Sequence, residues 1–224
     1  TRCSRDWSSD VCSSDLGLST RMGFDKQFLE IGDTVLSRYL AATLSMEFDE
    51  VIIVTNRPEC YSGNGLRAVS DIIPGRGPLS GIHAGLSTAT SRYVFCIACD
   101  MPNLSLDYIR HLKSKIRGGF HDACVARAGE WIEPFQAFYS RAIISRIEGY
   151  LNLDRRSVFP LLRTLNTLYL SEEEARPFNR DGRLFANLNT RQELESFIAT
   201  LPDGMLPYAE TATREGRDRV AAYA

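Results

Sequence analysis

Hydrophobic positions along most of this chain follow two alternating periods. Residues 50–55 (EVIIVT) and 93–98 (YVFCIA) are continuous apolar, β-branched or aromatic runs, the pattern of strands covered on both faces. Residues 33–46, 78–90 and 106–116 instead place apolar side chains at helical spacing, with Asp33 or Thr34 as N-cap of the first. A short strand at 66–70 runs into a loop rich in Gly and Pro. The second half is less regular: strands are predicted at 123–126, 134–139 and 184–188, and helices at 141–150, 158–165 and 191–200. Such alternation predicts an α/β fold with right-handed crossovers, a mostly parallel sheet flanked by helices, and ligands at the carboxyl ends of the strands.

Both ends break the pattern. Residues 1–16, TRCSRDWSSDVCSSDL, are dense in Ser and Asp and lack apolar periodicity of either kind. They read as a disordered arm or, by preference, as foreign sequence joined near Leu16. Residues 202–224 read as a polar, frayed tail. One domain over 17–201 is the simplest organisation, and 224 residues suffice for a single sizeable core.

Charge narrows the chemistry. With 26 Lys and Arg against 28 Asp and Glu, the net charge is −2, so no nucleic-acid surface is expected. An anionic ligand must be met by a few placed cations, backbone amides and metal. No apolar run reaches membrane-spanning length, and no secretory signal is expected. Cys96 and Cys99 form a C-x₂-C, yet they lie in a buried strand with no second pair at zinc-finger spacing. These two of the six cysteines are expected to be core thiols, which fits a reducing cytoplasm. His83 reads as a helix-surface or half-buried residue, His111 and His121 as structural, and Trp131 as a packing residue at the rim of a cleft.

Four motifs carry candidate chemistry. Gly17-Leu18-Ser19-Thr20-Arg21-Met22-Gly23-Phe24-Asp25-Lys26 combines glycines that admit close approach to phosphate with two cations, Arg21 and Lys26, suited to an oligophosphate. Asp71 ends a strand, and Gly75, Gly77 and Gly81 lead into a helix opened by Pro78, a strand–loop–helix cradle for a nucleotide. In Cys99-Asp100-Met101-Pro102 a carboxylate stands just past a buried strand, where an α/β enzyme holds Mg²⁺ completed by phosphates and water. In Asn187-Leu188-Asn189-Thr190 the two asparagines alternate, so both can face one side of a strand, although Asn189 or Thr190 also suits the cap of the next helix.

Taken together these motifs resemble the molybdenum cofactor guanylyltransferase family. Its L-A-G-G-x-S-x-R-M-G-x-D-K signature is matched from the second glycine by Gly17, Ser19, Arg21, Met22, Gly23, Asp25 and Lys26. Asp71, Gly77, Pro78, Leu79 and Gly81 match its Asp–loop–G-P-L-x-G element; Cys99, Asp100 and Pro102 match C-D-x-P; Asn187, Asn189 and Thr190 match N-x-N-T. The resemblance implies a single-domain, Rossmann-like nucleotidyltransferase fold (GT-A-like) and transfer of GMP from GTP to molybdopterin-bound molybdenum, with Mg²⁺ as cofactor. It implies that Gly17, Ser19, Arg21 and Lys26 hold the triphosphate, that Asp71, Gly77 and Gly81 contact the nucleotide, and that Asp100 ligates the metal. Asn187 and Asn189 would lie on the pterin side, and Arg156 would meet the acceptor's phosphate. A cytoplasmic location and transient hand-over to molybdenum-cofactor enzymes or their insertion machinery follow from the same likeness.

One departure stands out. The family begins with an apolar strand delivering L-A-G-G, whereas Ser13-Ser14-Asp15-Leu16 precede Gly17 here, so the central strand is expected to be missing or badly substituted. Rival readings are cytidylyl transfer, transfer to another phosphorylated acceptor, or a nucleotide-binding module without catalysis. A sugar-nucleotide glycosyltransferase would want a D-x-D pair, and only Asp100 is present at that strand end.

Overall fold

The computed structural model describes residues 10–14 (as backbone), 29–31, 34–62 and 65–201. Its strands are β1 (Asp10–Ser14), β2 (Glu30–Ile31), β3 (Thr34–Val35), β4 (Glu50–Val54), β5 (Arg67–Val69), β6 (Tyr93–Ala98), β7 (Ala123–Ala128), β8 (Trp131–Ser140) and β9 (Thr167–Ser171). Its α-helices are α1 (Leu36–Leu44), α2 (Pro78–Thr88), α3 (Leu106–Arg117), α4 (Ile144–Asn152), α5 (Val158–Leu162), α6 (Glu172–Ala175) and α7 (Arg191–Ile198). Seven strands form one sheet in the order β5-β4-β1-β6-β8-β7-β9, and β2 and β3 pair separately. The β5-β4-β1-β6 half is parallel. β8 runs antiparallel to β6 and β7, and β9 returns parallel to β7.

Strand β6 shows why the sheet is sandwiched. All six of its residues are buried, with Tyr93, Phe95 and Ile97 in one apolar cluster and Val94 and Cys96 in the other, as period-two side chains require. On the first face Leu36 and Leu40 of α1, Tyr108 and Leu112 of α3, and Leu194 and Phe197 of α7 pack over Phe95 and Phe138, whose rings lie 5.2 Å apart. On the second face Leu79 and Ile82 of α2, Ile147 and Leu151 of α4, and Leu161 and Leu162 of α5 close the other cluster. Local signals set the helix starts: the Ser105 hydroxyl caps α3, and Thr190 with Glu193 forms a full capping box on α7.

Several expectations change. The helix expected at 33–46 begins only at Leu36, because Thr34 and Val35 pair with Glu30 and Ile31; Val35 occupies the N-cap without a side-chain bond, and Asp33 lies outside the described residues. The 184–188 strand does not form. Its backbone is instead held at long range at both ends: the Leu188 N–H donates to the Asp100 carbonyl at 2.7 Å, and the Leu184 carbonyl accepts from the Gln136 side chain. β9 and α6 were not foreseen. The central strand, expected to be missing or badly substituted, is present as backbone but with a largely polar sequence: Asp10–Ser14 pairs on both sides, with β4 and with β6. Ladder bonds are made by main-chain groups, so a polar sequence can fill such a slot. Residues 17–26 and the tail from 202 lie outside the described residues. Among the described residues no helix is long and apolar enough to cross a membrane.

Candidate active site

The strand directions bring the motifs to one edge of the sheet. β1, β4, β5 and β6 all run toward it, so Ser14, Asp71 and Asp100 arrive there in turn. β7 and β9 end at the same edge, and antiparallel β8 starts there at Trp131. Asp100 thus stands at the junction between a β1-β4-β5 half and a β8-β7-β9 half, as ligand sites of open α/β sheets commonly do.

On the first half the glycine loop is shaped by conformation and by anchors. Gly77 has φ 68° and ψ −150° as N-cap of α2, a region that side-chain-bearing residues avoid. The Ser80 hydroxyl donates to the Ile73 carbonyl at 2.7 Å, holding the loop to the helix it feeds. Arg76 pairs with Asp154, which also accepts from Arg156 at 3.2 Å. Arg156 therefore sits against the glycine loop: a β-carbon at Gly77 would lie 3.8 Å from that of Arg156. These pairs are exposed, so their contribution is geometric more than energetic. Asp71 is half-buried, and burial raises its carboxyl above the ordinary range against an opposing effect of His83. Gly81 is buried within α2. His83 is 2% exposed, contrary to the surface or half-buried role expected, with its Nε2 3.2 Å from Glu148 on α4.

Asn187 and Asn189 are exposed on either side of buried Leu188, so their alternation survives without a strand. Thr190 makes the α7 cap, which settles that alternative for Asn189. The Leu188–Asp100 bond brings the C-D-x-P and N-x-N-T motifs together. Cys96, Cys99 and Cys124 are buried and unbridged, and burial pushes the Cys124 thiol up to about 12, as expected of core thiols.

On the second half, Trp131, Glu133, Arg127, Arg176 and Phe185 help to line a cavity of about 210 Å³. Trp131 is 62% exposed and meets Phe159 edge-on; it packs at the rim of this cavity, as expected. Glu133 escaped the sequence reading. Burial, and secondarily the charge of Asp100, raise its carboxyl to about 7 against hydrogen bonds from the Phe135 N–H and Trp131. The signal available was Pro134, which interrupts an otherwise strand-like run and marks a bulge.

That raised value has a consequence. A carboxyl that holds its proton more tightly when folded supports stability fully below its unfolded value near 4.5, and the support declines as pH rises through about 7. In chelator-treated buffer the melting temperature should fall between about pH 5 and 7.5, and Glu133→Gln should flatten that fall. Equal slopes in the two proteins would assign the pH dependence to other groups.

Among the described residues no cluster of three or more His, Cys, Asp or Glu is arranged to hold a metal ion. The carboxylate of Asp100, at a sheet edge with a second carboxyl nearby, suits a hard divalent cation whose other ligands are phosphate and water; it does not suit a soft or fully caged metal.

Comparison with known proteins agrees with this layout. The MobA-like NTP transferase domain model matches residues 17–168, starting at the glycine where the first motif begins. The chain is 53% identical over 186 residues to the probable molybdenum cofactor guanylyltransferase of Peptoclostridium acidaminophilum, covering 81% of this chain and 84% of that protein. It is 48% identical over 181 residues to the molybdenum cofactor guanylyltransferase of Syntrophotalea carbinolica, covering 81% and 86%. The fold is similar to the crystal structure of molybdopterin-guanine dinucleotide biosynthesis protein A from Archaeoglobus fulgidus, with TM-score 0.73, 24% identity, and coverage of 84% of this chain and 95% of that one. It is also similar to the Francisella tularensis 2-C-methyl-D-erythritol 4-phosphate cytidylyltransferase, with TM-score 0.62, 13% identity, and coverage of 87% and 100%.

Proposed function

Because this chain belongs to the MobA-like NTP transferase family, we propose that it transfers a guanylyl group from GTP to a molybdopterin-type acceptor and releases pyrophosphate. The observation that carries this reading is the position of Asp100 at the junction of the two half-sheets, its carbonyl bonded to Leu188 between Asn187 and Asn189. The names of relatives at 53% and 48% identity supply the acceptor and the base.

In this reading Asp71, Gly77 and Gly81 hold the nucleotide, with Gly17, Ser19, Arg21 and Lys26 on its triphosphate. Asn187 and Asn189 face the acceptor, whose ring enters the cavity beside Glu133. Arg156, placed against the glycine loop, meets phosphate where nucleotide and acceptor approach each other. A phosphate oxygen of the acceptor attacks the α-phosphorus of GTP, the bond to the bridging oxygen breaks, and pyrophosphate leaves. No covalent enzyme intermediate is needed. The chain's own contribution is to hold the two substrates in line and to place positive charge on the leaving group. Asp100 would hold Mg²⁺, which when bound supplies charge neutralisation at the α-phosphoryl group.

The test compares ligands. GTP with Mg²⁺ should raise the melting temperature, CTP should do so far less, and pyrophosphate release should require molybdopterin-bound molybdenum. A ligand in roughly hundredfold excess over its Kd stabilises by about 2.7 kcal/mol, enough to resolve. A shift with CTP and not GTP would replace the base assignment, and GTP binding without acceptor-dependent pyrophosphate release would leave a binding module.

A further inference from the structure

The pairing of β7 and β8 contains a large irregularity. Between the Cys124–Phe138 and Ala126–Glu133 pairs β7 advances two residues while β8 advances five. The extra residues include Pro134, which has no N–H to give a ladder, and Gln136, whose φ is 48°. Asp154 is the only other non-glycine residue with positive φ among the described residues. Gln136 is also 0% exposed. Burying an amide and holding a non-glycine residue in the left-handed region both oppose folding, so what the amide does must account for its presence.

Its Nε2 donates to two main-chain carbonyls, that of Asn103 at 3.3 Å and that of Leu184 at 2.5 Å. Both partners are acceptors, so only the NH₂ end of the amide can face them. Asn103 lies three residues after Asp100, and Leu184 lies three before Asn187. A few residues from each of those anchors, the Leu188 N–H donates to the Asp100 carbonyl. The segments carrying Asp100 and the two asparagines are therefore tied at two places, and one tie is a single side chain from a third element.

We propose that Gln136 is a positioning residue that sets the Asn187–Asn189 segment in register against Asp100, and so places the acceptor relative to the transferred phosphoryl group. This rests on the roles given above to Asp100, Asn187 and Asn189. Gln136 touches neither substrate. Its loss should loosen the acceptor side and leave the glycine loop, on the other half of the sheet, undisturbed.

Two substitutions separate this from a general loss of fold. Gln136→Asn keeps an amide and a residue type that tolerates positive φ, but is one methylene too short to span both carbonyls. Gln136→Met keeps the length without a donor. Amide hydrogen exchange at Leu188 should be on the order of tenfold faster in both variants, the consequence of losing a buried hydrogen bond nearby, with β4 and β6 amides unchanged. The KM for molybdopterin-bound molybdenum should rise on the order of tenfold, while the Kd for GTP measured without acceptor stays within about twofold. Unchanged Leu188 exchange would overturn the proposal, as would a GTP Kd that weakens in step with the acceptor KM. If the wild-type chain releases no pyrophosphate with GTP and acceptor, the reaction assignment fails, and the exchange measurement still decides the tie.

Discussion

Asp100→Asn should lower acceptor-dependent pyrophosphate release on the order of 10²–10³-fold and leave the melting temperature almost unchanged. The side chain stays the same size, and the bond that ties this loop to Leu188 uses the Asp100 main-chain carbonyl, so the register of the site survives the substitution. What is lost is the negative oxygen proposed to hold a divalent cation. Removing that charge also relieves part of what raises Glu133. The measurement is kcat against Mg²⁺ concentration, with the melting temperature as control. A variant within about threefold of wild type at saturating Mg²⁺ would remove Asp100 from the metal role.

Gly77→Ala should weaken GTP binding about ten- to hundredfold, through backbone strain alone. The space for a methyl group exists, since the nearest atom to a β-carbon there is that of Arg156 at 3.8 Å. The backbone at φ 68° and ψ −150° is the obstacle, because a non-glycine residue held so costs about 1–3 kcal/mol. The loop can relax only by moving the peptide planes that lead into α2. Gly149 offers the contrast: it is exposed in α4 with nothing within 4 Å of a β-carbon, so Gly149→Ala should stabilise the protein by about 0.5–1 kcal/mol and leave binding alone. Isothermal titration with GTP, alongside thermal melts of both variants, separates the two outcomes. A Gly77→Ala protein with wild-type GTP affinity would show that the loop conformation is not used in binding.

What was legible in the sequence was whatever side chains determine locally. EVIIVT and YVFCIA could only be doubly covered strands, and Pro78 after Gly77 opened α2 where expected. The placing of Asp71 and Asp100 at one sheet edge was legible, because both follow the ends of strands that run the same way. β1 was not, because DVCSS, with only Val11 and Cys12 apolar, lacks the continuous apolar run of an interior strand and holds its place through main-chain pairing to β4 and β6. The 184–188 segment misled because alternation of apolar and polar residues accompanies any extended chain with one buried side, ladder or not. Gln136 and Glu133 were hard to read for another reason. Pro134 marks the bulge between them, but not their partners, which lie 33 and 48 residues away for the amide and just past the end of β6 for the carboxyl. Arg156 was picked out by likeness, but its neighbour, the glycine loop, came only from the fold.

The bond between Leu188 and Asp100 also fixes when the site comes into existence during synthesis. Asp100 emerges from the ribosome well before its partner, and its carbonyl waits for a donor 88 residues downstream. Until that donor arrives, the residues of the parallel strands and the glycine loop are already made, but the segment proposed to face the acceptor is not. The order of translation therefore supplies the glycine loop first and the proposed acceptor segment later, so a chain released before Leu188 would lack this tie.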